Sequence, residues 1–118
     1  MQPIKKGNLY DGAEAAATKF EQFDEILESG DFLIERIISS GQFTPEGKWL
    51  MQDRDEWVVL LEGNASISFR NNDPVEMVSG DHIFIPARTE HRVERTSIDP
   101  KCLWLAVHGK FIDENENS

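Results

Sequence analysis

Three polar side chains in this 118-residue chain stand beside turns and could do chemistry: Gln52, Glu56 and His91. An imidazole moves protons near neutral pH and ligates transition metals, a carboxylate is a base and a hard ligand, and an amide offers a neutral oxygen. Gln52 and Glu56 flank Asp53-Arg54-Asp55, a three-residue turn between two apolar runs. If the flanking strands pair directly, the two side chains are cross-strand neighbours on one face of a sheet. His91 opens a strand after a second turn, Pro86 to Glu90. A carboxylate at the start of the apolar run Trp57-Val-Val-Leu-Leu is costly unless a cation or donors meet it. The plainer alternative is a surface Glu56 beside Asp55.

One imidazole, one carboxylate and one amide make a poor metal cage. Two readings of the trio therefore stand side by side. It is either a weak site for a divalent metal such as Zn, Ni, Mn or Fe, or a polar pocket that hydrogen-bonds a small molecule. Strand alternation from an inward His91 sends Val93 and Arg95 the same way. Arg95 could then clamp a carboxylate or phosphate, which brings an anion among the candidate ligands, or it could pair with an acidic neighbour. Trp49 adjoins the Leu50/Gln52 strand end and is the tryptophan best placed to wall a pocket. Trp57 reads as packing and Trp104 is open between the two. His82 lies on the face opposite Ile83 and Ile85, as a partly exposed structural residue. His108 ends the last strand and has little support as a ligand.

The elements that must position these residues are mostly strands. Phe20, Phe23, Ile26 and Leu27 recur at helical spacing, so a short amphipathic helix is predicted from Lys19 to Glu28, with Thr18 as N-cap and Gly30 as stop. After Gly30 the pattern turns β-like. Phe32 to Ile38, Trp57 to Leu61, Ala65 to Phe69, Val75 to Val78, Ile83 to Ile85, Arg92 to Arg95 and Leu103 to Val107 read as short strands separated by turn residues. The Trp57 run is apolar on both faces, which predicts cover on both sides. Such spacing indicates an all-β sandwich or barrel. The expected division is an extension over 1–30, a barrel over 31–110 and an acidic, frayed tail over 111–118.

Together the two turn-bearing stretches resemble the paired motifs of the cupin superfamily, over roughly residues 30 to 108. Glu56 and Gly63 keep the spacing that closes the first motif, and Gly80, Pro86 and His91 fall in register with the second. The two first-motif histidines are replaced by Leu50 and Gln52, and Arg88 and Arg95 stand where the second motif has Gly and Asn. The resemblance implies an RmlC-like jelly roll, the double-stranded β-helix. It further implies His91 and Glu56 as metal ligands facing into the barrel, and a homodimer formed by sheet packing and strand exchange. The fold hosts binding proteins and enzymes alike. The favoured expectation is a protein that binds a small metabolite in the barrel. The alternative is a metal-dependent dioxygenase, isomerase or lyase acting on a small polar metabolite.

Charge removes other classes. The formal net charge is -10 and the pI about 4.6, a field that repels phosphate backbones and anionic lipid, so neither nucleic acid nor membrane is an expected partner. Cys102 is the single cysteine, which precludes an internal disulfide. With no apolar run of transmembrane length and no signal-like start, a cytoplasmic protein is expected.

Overall fold

The computed structural model describes residues 3–15 and 19–111. Eight strands follow one another: β1 (Gln22–Ser29), β2 (Phe32–Ser39), β3 (Asp55–Glu62), β4 (Asn64–Phe69), β5 (Asn72–Val78), β6 (His82–Ile85), β7 (His91–Thr96) and β8 (Cys102–Gly109). They form a five-stranded sheet in the order β1-β2-β8-β3-β6 and a three-stranded sheet in the order β5-β4-β7, antiparallel throughout. No helix occurs among the described residues, and so none is long and apolar enough to cross a membrane.

Directly paired residues share a face, so register sorts the large sheet into inward and outward rows. One inward row reads Leu33, His108, Glu56, Ile85, and the next Glu35, Ala106, Val58, Ile83. A third runs Ile37, Trp104, Leu60. These meet the small sheet's Ala65, Ile67 and Met77 to form the core, with Cys102 beside them. The outward rows are apolar too: Ile34, Val107, Trp57 and Phe84 stand in line, all half-buried. The expected double cover of the Trp57 strand thus holds on the inside, while its outer face is only partly screened. At the far end of that outer face Ala13 from the N-terminal segment packs with Ile38, Leu103 and Leu61. Arg36 holds this segment by donating to the carbonyls of Leu9 and Asp11.

Gly63 carries the chain from the large sheet to the small one. Its φ is 93°, and an added Cβ would stand 2.8 Å from Ser97 Oγ and 2.9 Å from Cys102 Cα, so no side chain fits.

The predicted helix over Lys19 to Glu28 is instead strand β1, hairpinned to β2 across Gly30 and Asp31. Pairing with β2 satisfies backbone groups that a ten-residue helix would hold only marginally. The helical spacing has a simple origin. The register slips between Glu25 and Leu27, so Ile26 is an inserted bulge residue. Phe23 therefore pairs with inward Ile37, while Leu27 pairs with outward Ile34. Two strand faces, read through a bulge, imitate one helical face. The same strand takes β2 away from the edge of the sheet, where an apolar strand would invite pairing with another chain. Thr18 and the tail from Asp113 to Ser118 lie outside the described residues.

Candidate functional site

A cavity of about 320 Å³ opens between the sheets at the end where β3 and β7 begin and β8 finishes. Gln52, Glu56 and His91 all line it. The Gln52 amide donates from Nε2 to Glu56 Oε1 at 2.8 Å. The two residues meet by a different route from the one expected. The segment before the turn does not pair with β3. It runs beside β7, where Leu50 and His91 exchange backbone hydrogen bonds of 2.7 and 3.0 Å, and the Gln52 carbonyl accepts from Arg88 N at 2.7 Å. Asp55 ties the turns together, accepting from Ala87 N at 2.8 Å and Phe111 N at 3.0 Å.

His91 is 7% exposed, and its Nδ1 donates to the Thr89 carbonyl at 2.9 Å. A carbonyl oxygen only accepts, so Nδ1 carries the proton and Nε2 is the ring atom open to a ligand. His108, expected to have little support as a ligand, is equally buried and lines the same cavity. Its Nε2 donates to Glu35 Oε1 at 2.9 Å, and its Nδ1 is buried without a partner. A third polar group closes the opposite side: Trp104 Nε1 donates to Ser39 Oγ at 3.2 Å, and that hydroxyl donates to Glu21 Oε2 at 2.7 Å. The signal for Glu35 and His108 was available. Each is an ionisable residue on the inward face of its strand, among neighbours on that face that carry no charge.

Two expected members are elsewhere. Arg95 is exposed, hydrogen-bonded to Asn64 and paired with Glu76 at 3.2 Å. The alternation that should have turned it inward is broken by a bulge: Ile67 pairs with Val93 but Ser66 with Arg95, which leaves Glu94 as the extra residue. Trp49 does not line the cavity, and its ring lies under the Arg70 guanidinium at 5.2 Å. Trp57 is on the outer face, 5.7 Å from the exposed His82 ring, and Trp104 is the tryptophan of the cavity wall.

The rest of the wall is apolar, from Ile37, Val58, Ile67, Ile85 and Val93, and the mouth carries the exposed Phe23, Leu50 and Met51. Three carboxylates line the cavity, from Glu21, Glu35 and Glu56, with no lysine or arginine among them. An anion therefore finds no lysine or arginine among the described lining residues. The donors fit a tightly held metal poorly as well. One Glu56 oxygen is engaged by Gln52, and no three His, Cys, Asp or Glu side chains among the described residues are grouped to hold one ion.

Comparison with known proteins gives concordant results. The family model for the cupin domain matches residues 41–108. The crystal structure of a protein from Ralstonia eutropha JMP134, proposed to be a mannose-6-phosphate isomerase, is 38% identical, with a TM-score of 0.86 over 92% of this chain and 100% of its own. A cupin superfamily protein from Desulfitobacterium hafniense DCB-2 is 15% identical, with a TM-score of 0.73 over 92% of this chain and 94% of its own. An RmlC-like cupin from Methanocaldococcus jannaschii with a double-stranded β-helix fold is 10% identical, with a TM-score of 0.67 over 93% and 92%. Likeness at these last two identities speaks for fold alone. No curated protein matches the chain.

Proposed function

This chain belongs to the cupin family, and from that premise we propose that it is a binding protein for a small molecule held in the barrel, with at most weak affinity for a divalent metal. The observation that carries the reading is the convergence of Gln52, Glu56 and His91 on one cavity whose remaining wall is largely apolar. Such a cavity fixes a small molecule by a few polar contacts and desolvates its body. His91 Nε2 is pre-oriented by the Thr89 carbonyl, and Glu56 is held by Gln52, so neither need be reorganised when a ligand arrives.

A second reading, isomerisation of a phosphorylated sugar, draws support from the description of the Ralstonia protein. The lack of any lysine or arginine among the described lining residues weighs against it, because such cations are the strongest side-chain partners of a phosphate. Calorimetric titration with Zn or Ni tests the metal side of the proposal. The native chain should bind weakly, whereas Leu50→His together with Gln52→His should tighten binding by at least about tenfold, since two imidazoles would join His91 and Glu56. A folded double variant that binds no tighter would mean that these positions do not converge on one point.

The reading includes a homodimer. The aligned Ile34, Val107, Trp57 and Phe84 form a half-exposed apolar row, flanked by Leu105 and Val59, the kind of surface that a second protomer covers. Light scattering at micromolar concentration should return twice the 13.5 kDa chain mass, and Trp57→Glu should return the chain mass. A native monomer would remove the dimer from the proposal.

A further inference from the structure

The hydrogen-bonding inventory of the cavity is one-sided. Glu21 uses Oε2, Glu35 uses Oε1 and Glu56 uses Oε1, and the second oxygen of each carboxylate takes no partner among the described residues. His91 donates through Nδ1, so its Nε2 in the neutral ring is an acceptor. His108 donates through Nε2, so its buried, unpartnered Nδ1 is an acceptor as well. The one side-chain amide at the site, Gln52, already spends a hydrogen on Glu56. Apart from the second N–H of Gln52, every open polar atom on this wall thus requests a proton donor.

The acceptors are also spread out. Glu21 is anchored on Ser39, while Glu35 reaches His108, whose pairing partner on β2 is Leu33, in the direction away from Ser39. Glu35 and Ser39 are four residues apart on one strand, roughly 13 Å. An extended molecule can span both groups, and the wall between them is apolar: Ile37, Val58 and Trp104.

We propose that the ligand is an extended aliphatic amine of the polyamine class, with one cationic nitrogen at Glu21, another among Glu35, Glu56 and the two imidazoles, and its methylene chain along the apolar wall. The proposal rests on the reading of this cavity as a small-molecule site and supplies its ligand class. Three uncompensated carboxylates then gain counter-charges, and each N–H meets an acceptor.

Calorimetry with spermidine in ~150 mM salt tests it, a concentration chosen to screen loose attraction to the acidic surface. One site per chain is expected. Glu21→Gln and Glu35→Gln should each weaken binding at least fivefold, Ile67→Trp, which fills the cavity, should abolish it, and Glu46→Gln in an exposed loop should change it less than twofold. Butylamine, with one nitrogen, should bind at least tenfold more weakly than spermidine. Several weak sites indifferent to Ile67→Trp would overturn the proposal, as would equal binding by butylamine or no binding of spermidine at all. If mannitol or mannose 6-phosphate binds and spermidine does not, and Ile67→Trp removes that binding, the amine is wrong while the cavity keeps its role. Glu21 stands just before strand β1, so its variant remains informative even if Glu35→Gln disturbs the fold.

Discussion

Strands β3 and β8 run through both ends of the barrel, and the two ends differ in what the strands point inward. At the closed end β3 offers Leu60, β4 Ala65, β5 Met77 and β8 Cys102, all at most 1% exposed. At the open end β2 offers Glu35, β3 Glu56, β7 His91 and β8 His108. An antiparallel barrel needs packed apolar side chains somewhere along its axis, but not everywhere. Here one end supplies that packing, and the polar positions at the other are free to serve a ligand. Stability and function are separated by a few residues along each strand, rather than by domain.

The sharpest way to break this division is to place a charge at the closed end. Leu60→Asp buries an unpaired carboxylate at a position with 0% exposure and should abolish cooperative folding, as read by circular dichroism. Soluble, cooperative folding of that variant would refute the assignment of Leu60 to the core. Met77→Ala, beside it, should cost about 2–5 kcal/mol in denaturant unfolding, because a fully buried side chain is replaced by a void. At the open end the expectation reverses. Glu56→Leu should leave unfolding free energy within about 1 kcal/mol of the native chain, since the loss of the Gln52 hydrogen bond is offset by relief of carboxylate desolvation. A loss as large as that of Met77→Ala would mean that Glu56 is structural and would erase the contrast.

The smallest effect belongs to neither end. Asp24, on β1, has its carboxyl held below the ordinary value of 3.8, first by the Gln22 amide and then by the Arg36 guanidinium at 2.6 Å, against an opposing push from partial burial. A depressed folded-state value stabilises the fold fully above the ordinary carboxylate range, and the contribution is lost as pH falls through the folded value. Asp24→Asn should therefore lower the melting temperature slightly at pH 7, with the gap to the native chain closing below pH 3.8. A gap that persists at pH 2 would assign the effect to packing.

Much of the fold was legible because its strands are short, β-branched and punctuated by turn residues, and because Gly63, Gly80 and Pro86 stand at fixed spacings from Glu56 and His91. What escaped was register. Bulges at Ile26 and Glu94 each insert one residue, which in the first case disguised a strand as a helix and in the second turned Arg95 out of the barrel. A periodicity argument has no access to such insertions, since they alter parity without altering composition. Val59 and Leu60 look interchangeable in sequence, and only pairing shows that the first faces outward and the second inward. The contact between Glu35 and His108 was illegible for another reason: they belong to strands far apart in the chain, and their 2.9 Å hydrogen bond exists only once β2 lies beside β8.

The position of β8 has a consequence for how the protein is made. This strand comes last among the eight, yet it sits at the centre of the large sheet, paired with β2 on one side and β3 on the other. Until it is synthesised, β2 and β3 have no common partner, and the hairpin of β1 and β2 cannot join the rest of the sheet. Domains dominated by such distant pairings fold slowly, and an unfinished sheet exposes apolar edges meanwhile. On the ribosome the large sheet should therefore be completed only after Gly109 has cleared the exit tunnel.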